Sequence, residues 1–573
     1  MRQFAEKIKK IVTRELPAGF KFDLVAPPDS ALGDLTLPCF ALVKILKQSP
    51  IQVAEDLRQK LAGNAELKNM VADIKAEGGY LNFYLRSDAL AKEVLGEIFK
   101  KKEKYGAKDL GKKKRVMVEY VSPNSNKPLH LGHIRNALLG EAVSNILEAR
   151  GHKVVRASLV NDRGIHICKS MLAYKYWGKS DSPEKSGIKS DHFVVKYYTM
   201  FGERAKQNPE LEGEAQEMLK LWEAGDKNTF ALWKKMNAWV YKGWRATYGT
   251  LGVKFDVLNY ESKLYKKGKE IISRGEQEKV FMADEKGNIV AKFSDLPDKV
   301  VLRADGTAVY ATTDLYLAKE RFDKCNIDKL IYVVGVEQDL HFRQLFQIFS
   351  RLGFDFADKV YHLNYSLVHL PEGRLKSREG TKVDADEIVE KLSALAAEEI
   401  KNRYETLLSP REISRRAKII ALGALKFYIV SIKPDSAINF NPKESLNFTG
   451  KTGPYLQYVY ARINSIFKKA SKYRNNKTRI DFSLLNTAID KKLIVNLAEF
   501  PEVLSGAAEN LNPAELANYL YNLAQDFSGF YESEKILKAE RDVAAVRLAL
   551  ISAVKIVLER GLALLGIKTL EEM

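Results

Sequence analysis

The chain has 573 residues, more than one hydrophobic core organises, and about 150 residues per domain gives roughly four domains or large subdomains. Its 92 Lys plus Arg against 73 Asp plus Glu leave a formal charge of +19, which favours a polyanionic partner, nucleic acid ahead of an anionic membrane surface. Cys39, Cys168 and Cys325 are too scattered for a disulfide framework or a zinc ribbon, no stretch is apolar for long enough to span a bilayer, and the start lacks the features of a targeting peptide, so a cytoplasmic protein is expected.

In chain order, residues 1–108 combine a helical pattern (Phe4, Ile8, Ile11, Val12) with a turn-rich piece at 27–34 and a strand-like run at 80–85, which predicts a small α+β domain. The mostly charged stretch 101–115 reads as an exposed linker or basic face. From Val116 the order is strand, turn, helix, strand. A short β-branched run is followed by a turn with Pro123, Pro128 and Gly132. Ile134, Leu138, Ala142 and Ile146 then recur every four residues up to Gly151, which suits the position just past a helix end. A βαβ unit offers its ligand site at the carboxyl end of the first strand, where the helix points unbonded N–H groups and its positive dipole end outward, and anions bind there. His130 and His133 sit at that point, placed to donate to nucleotide phosphates, and Gly132 leaves room for a purine or ribose. Those four letters alone fit a surface pair or half a metal site as well.

Residues about 170–300 break the rhythm and hold all five tryptophans, which predicts an insertion. Within it Trp233, Met236, Val240, Trp244, Tyr248 and Leu251 step by three and four, a pattern read as core rather than as a base-stacking surface. Strand signals return at 300–303 and 330–336. Tyr310 and Asp314 open a helix after the first and Gln338 follows the second, and polar groups at such strand ends line the crevice of a doubly wound sheet. After about 386 the pattern is almost wholly helical. Tyr455, Gln457, Tyr458 and Arg462 interleave rings, an amide and a cation in the manner that suits splayed bases, and Val543, Val546, Leu550, Val554 and Val557 give a later helix one apolar face. The expected fold is multidomain α/β. Residues 1–108 form an N-terminal α+β domain, 109–385 a Rossmann-like parallel-sheet catalytic domain with the insertion, and 386–573 an all-α stem and C-terminal domain.

The run Glu-Tyr-Val-Ser-Pro-Asn-x-x-Lys-Pro-x-His-x-Gly-His, residues 119–133, resembles the HIGH signature of class I aminoacyl-tRNA synthetases, in the wording of the arginyl-tRNA synthetases. Residues 373–381, Gly-Arg-Leu-Lys-Ser-Arg-Glu-Gly-Thr, are similar to the KMSKS loop of that class in a degenerate form, and Thr-Gly-Pro-Tyr-x-Gln-Tyr at 452–458 to the opening of the family's anticodon-binding domain. The N-terminal domain, with its Gly-Asp at 33–34 and Gly-Gly-Tyr-Leu-Asn-Phe at 78–83, is similar to the one with which the family touches the tRNA elbow, so the resemblance covers nearly the whole chain. It implies that ATP, accompanied by Mg²⁺, activates L-arginine for transfer to tRNA(Arg), with no zinc and no membrane, in a protein expected to be a monomer. Such activation needs positioned donors and cations rather than a nucleophile. The resemblance assigns catalysis to His130, His133, Lys127 and Lys376, and ATP binding to Pro123, Leu131, Gly132, Arg374, Ser377 and Arg378. It assigns arginine to Glu119, Asn124, Tyr310, Asp314 and Gln338, with Asp314 as the direct guanidinium partner. Glu119 also fits a strand-end carboxylate that caps a loop. tRNA falls to Tyr455, Gln457, Tyr458 and Arg462. Two rivals are a class I synthetase of the cysteinyl type, which needs a thiolate cluster for zinc, and a non-catalytic tRNA-binding paralogue, which would be expected to lose the histidines or pocket carboxylates.

Overall fold

The structure is a computed structural model that describes residues 2–27, 29–107, 114–370, 383–404, 408–470 and 480–573. The KMSKS-like run, with Arg374, Lys376, Ser377 and Arg378, lies outside the described residues.

In the N-terminal part β1 (Leu35–Pro38), β2 (Val71–Glu77) and β3 (Tyr80–Leu85) form an antiparallel sheet in the order β1-β3-β2. The β2–β3 hairpin turns on Gly78 and Gly79, both at positive φ (59° and 84°), the geometry whose twist matches the flanking strands. Helix Pro50–Ala62 packs on this sheet through Val53, Ala54, Leu57 and Leu61. Among the described residues of the charged linker, Lys101–Lys104, Lys114 and Arg115 are exposed as expected, and Tyr105 and Gly106 are the exception. Tyr105 is buried, donates its hydroxyl to Leu497 O at 3.0 Å, and receives Arg560 Nε on its carbonyl at 2.7 Å. One aromatic in a lysine-rich run finds its partners only at long range.

The central sheet takes β4 (Arg115–Glu119), β5 (Lys153–Val160) and β6 (Val257–Tyr260). After a small antiparallel sheet of β7 (Phe281–Ala283), β8 (Ile289–Ala291) and β9 (Lys299–Leu302), it takes β10 (Lys329–Gly335) and β11 (Val360–Tyr365). All five central strands are parallel, in the order β11-β10-β4-β5-β6. The chain therefore builds to one side of β4 and then to the other, and the switch between β4 and β10 opens a crevice at their carboxyl ends. Alternation along the strands divides the core. Val116, Val118, Ile331 and Val333 face a cluster continuous with the N-terminal part and the C-terminal helices, and Met117, Leu330 and Tyr332 face a second cluster with β7–β9. Helix Leu131–Ala149, buried almost all round, closes on the first face. It does so because Gly140 lacks a Cβ, which would stand 2.3 Å from the Tyr120 ring.

The interval 170–300 is not one continuous insertion. Helices Ile165–Trp177, Ser190–Gln207, Glu210–Glu223 and Lys227–Leu251 leave the sheet after β5, but β6 returns to pair with β5 before the chain leaves again. A four-residue strand between helices is too short for a periodicity to register. In Lys227–Leu251 the expected stripe is core, with Met236, Val240, Trp244 and Leu251 buried. The C-terminal part stacks Pro410–Val430, Gly453–Lys469, Ala488–Glu509, Pro513–Ser533 and Arg541–Leu564, the last burying Val546, Leu550, Val554 and Val557. Among the described residues no helix is long and apolar enough to cross a membrane.

Candidate active site

Beyond β4 the chain is stitched to the end of β5: Asn161 N–H donates to Pro123 O and Ser125 N–H to Asn161 O, both at 3.0 Å, and Lys127 N–H closes onto Asn124 O at 3.1 Å. Asn124 and Lys127 are left exposed and Pro123 is buried. His130 then caps helix Leu131–Ala149. Its Nδ1 accepts from Gly132 N–H, while His133 Nδ1 accepts from His130 N–H, both at 3.1 Å, and the rings lie 3.9 Å apart. With both Nδ1 atoms accepting, each neutral ring carries its proton on Nε2. A Cβ at position 132 would meet the His130 ring at 3.0 Å, so this glycine first makes room for the histidine. The Leu131 side chain belongs to the core.

The histidine turn is held from two sides. His130 bridges Asp384, Leu131 N–H donates to Val383 O at 3.2 Å, and Ala385 N–H donates to Leu129 O at 2.9 Å. One helical turn on, the buried Arg135 guanidinium donates to the carbonyls of Ser366, Leu367, Lys433, Pro434 and Ser436. Asp384 also joins a charge cluster in which His192 Nε2 lies 3.3 Å from both the Asp384 and Asp386 carboxylates, and Lys189 Nζ lies 2.5 Å from Asp386 and 3.3 Å from Asp191. Burial pulls the His192 pKa down, but the two carboxylates outweigh it and raise it to about 10. Asp191, His192 and Asp386 have the spacing of metal ligands, with the Lys189 ammonium already among them.

A second group of polar residues comes from helix Tyr310–Cys325 and from the ends of β6 and β10. Asp314 is partly buried, its Oδ2 2.8 Å from His341 Nε2. Tyr310, one turn earlier, is 75% exposed. Gln338 is exposed in the short turn after β10. Glu261, just past β6, adds a carboxylate close enough to interact with both Tyr310 and Asp314. Burial, and then Asp162 and Asp314, push its carboxyl up to about 7 against the pull of Arg163. Asp162 fixes that corner by accepting from Ser262 N–H at 2.9 Å, Ser262 Oγ at 2.8 Å and Tyr241 OH at 3.0 Å. Neither Glu261 nor the pairing of His341 with Asp314 is evident in the sequence. Glu261 was missed with the unread strand before it, and His341 lies three residues beyond Gln338, where its pairing with Asp314 has no local signature.

Glu119, at the end of β4, is buried, with Oε2 bound by the fully buried Arg321 of helix Tyr310–Cys325 and Oε1 accepting from Ser122 Oγ at 3.2 Å. Both oxygens are thus engaged within the protein. In the C-terminal part Gln457 departs from expectation. It is fully buried and donates to Ile419 O at 3.2 Å and Lys568 O at 2.7 Å, so it clamps the end of the chain rather than meeting tRNA. Tyr455 is tied to Ser528 Oγ at 3.0 Å, whereas Arg462 lies between the Tyr458 and Tyr531 rings at 4.6 and 5.0 Å.

Residues 94–440 match the family model of the class I tRNA synthetase (R) catalytic domain, 456–573 the DALR anticodon binding domain, and 2–85 the arginyl tRNA synthetase N terminal domain. A protein of Treponema denticola named arginine–tRNA ligase is 42% identical over 563 residues, covering 96% of this chain and 95% of its own. One of Porphyromonas gingivalis with the same name is 41% identical over 564 residues, 94% of each. The solved arginyl-tRNA synthetase of Thermus thermophilus superposes with a TM-score of 0.81 at 27% identity, with both chains covered in full. A histidine-capped helix at the switch point of a parallel sheet, a catalytic-domain family match over residues 94–440, and relatives 42% and 41% identical along nearly the whole length place the chain in the arginyl-tRNA synthetase family of class I aminoacyl-tRNA synthetases.

Proposed function

We propose that the protein is an arginine–tRNA ligase. An arginine carboxylate oxygen attacks the α-phosphorus of ATP, pyrophosphate leaves, and the arginyl group then passes from the adenylate to the 3′-terminal adenosine of tRNA(Arg), releasing AMP. The observation that carries the reading is a pair of unlike residue groups set beyond the carboxyl ends of one parallel sheet. In one a helix N-terminus capped by His130 and His133 suits phosphates, and in the other Asp314, Glu261 and Tyr310 suit a planar guanidinium fork.

In this reading the two histidines donate to the phosphates as charge builds on them, and Lys127 meets the departing pyrophosphate from the exposed turn. Asp314 pairs with the guanidinium, and Asn124 and Gln338 hold the amino acid's polar groups. Glu119 acts with Arg321 to set the floor on which they stand. Lys376, Arg374 and Arg378 are proposed as the second pyrophosphate clamp on sequence resemblance alone. Mg²⁺ enters bound to ATP, as part of that substrate. Tyr458, Arg462 and Tyr531 are the aromatic and cationic surface proposed for tRNA bases. The protein is read as a cytoplasmic monomer. The test is a charging assay with each amino acid in turn, ATP and total tRNA. Arginine alone should be charged, and charging of any other amino acid at a comparable rate overturns the assignment.

A further inference from the structure

Val121, the second residue past β4, has φ +53° and is 1% exposed. The other non-glycine residues at positive φ among the described residues are Lys47, Lys102, Lys279, Asn326 and Leu511. None of them is β-branched, and Lys47 and Asn326 simply end helices. A left-handed β-branched residue is a true steric outlier, because its Cβ substituents crowd the following carbonyl, and such backbone persists only where its surroundings over-determine it.

The surroundings do so here. Asn136, on the helix that His130 caps, accepts the Val121 N–H on Oδ1 at 2.7 Å, and its Nδ2 donates to Val333 O of β10 at 2.8 Å and to the Tyr365 hydroxyl of β11 at 3.0 Å. Ser158 of β5 donates its hydroxyl to Val121 O. One residue is thereby gripped on both main-chain polar groups by side chains that are themselves buried in the sheet and its covering helix. Tyr120 N–H makes its bond to Ala157 O at 3.0 Å just before this residue. Immediately after it, Ser122 O accepts from Asn161 Nδ2 at 3.2 Å and Asn124 bridges Asn161. The left-handed residue is therefore the joint at which the chain stops being a strand and becomes the wall that carries Asn124.

We propose that Val121, held by Asn136 and Ser158, is a positioning residue for arginine use: its forced backbone sets where Ser122 to Asn124 stand against the amino acid. Valine adds stiffness that a glycine lacks, since a β-branched residue has few alternatives once its backbone is fixed. The inference rests on the placing of Asn124 at the arginine site.

The experiment is a double-mutant cycle read by arginine-dependent pyrophosphate exchange with tRNA present, with arginine and ATP varied separately. Asn136→Ala removes the grip and should cut kcat/KM for arginine by about 10²-fold, as a misplacement near 1 Å does, while the KM for ATP stays within about twofold. Asn136→Asp keeps the acceptor for the Val121 N–H and should retain most of the arginine KM, although it loses the donors to Val333 and Tyr365. With Val121→Gly the left-handed backbone is no longer costly, so adding Asn136→Ala to that variant should cost at least about fivefold less than it does alone. Multiplicative effects, or an Asn136→Ala enzyme that melts earlier but uses arginine normally, overturn the proposal. If Asn136→Ala does not fold, Ser158→Ala takes its place in the same cycle with the same outcomes. Asn124→Ala keeps the two ideas apart: an unchanged arginine KM there refutes the placing of Asn124 in the pocket, whatever coupling the cycle shows.

Discussion

The Glu261 carboxyl, raised to about 7 by burial and by Asp162 and Asp314, is half protonated near neutral pH. A guanidinium keeps its charge throughout that range and pairs with the ionised form only, so the protein has to release a proton to bind arginine at lower pH. The KM for arginine should therefore rise as pH falls below about 7, while the KM for ATP does not follow it, and Glu261→Gln should flatten that dependence; a flat profile in the parent enzyme refutes the role. Asp314, beside His341, carries the selectivity in this account. Lysine should be rejected by roughly 10⁴-fold in kcat/KM, because a single ammonium leaves acceptors built for a five-donor fork unpaired. Comparable exchange with lysine and arginine would remove Asp314 from the pocket. The placing of the histidine pair at a helix start was legible from strand, turn and helix. Glu261 was not, since a lone carboxylate after four unread strand residues looks like any other acidic residue.

At the level of elements, the helix Leu131–Ala149 and Tyr120, the residue after β4, approach so closely that position 140 has no room for a methyl group. Gly140→Ala should destabilise the protein by about 1–3 kcal/mol, the usual penalty of overpacking, and lower the melting temperature with it. An unchanged melting temperature would show that the helix shifts freely against Tyr120. The same helix carries His130, His133, Arg135 and Asn136 along its first turn and a half, so a shift in it should be felt in exchange kinetics as well as in stability. Periodicity revealed this helix and its glycine end, because those are local properties. It did not reveal that Gln457 is a clamp, because its two acceptors, the carbonyls of Ile419 and Lys568, are main-chain atoms from distant segments and leave no residue pattern. The left-handed Val121 is hidden for the same reason: nothing in the letters around a valine announces a positive φ.

At the scale of the whole molecule, one apolar core runs from the N-terminal part through a face of the sheet into the C-terminal helices, so the flanking parts are packed on the catalytic centre and not merely tethered to it. The buried link from Tyr105 to Leu497 and the partly exposed Asp34–Lys491 pair at 2.7 Å reinforce that contact. The formal charge of +19 implies that tRNA binding releases counterions, and affinity should fall at least about tenfold between about 50 and 200 mM salt; a salt-independent affinity would contradict a phosphate-led interface. The histidine turn after β4 and the carboxylates Glu261, past β6, and Asp314, on the helix after β9, are proposed to form one site that activates arginine. Pyrophosphate exchange by Asp314→Asn, with arginine and ATP varied separately and tRNA present, tests it most directly. Loss of one partner of a buried charge pair should lower kcat/KM for arginine by about 10²-fold or more with the KM for ATP nearly unchanged, and normal use of arginine by that variant would contradict the account.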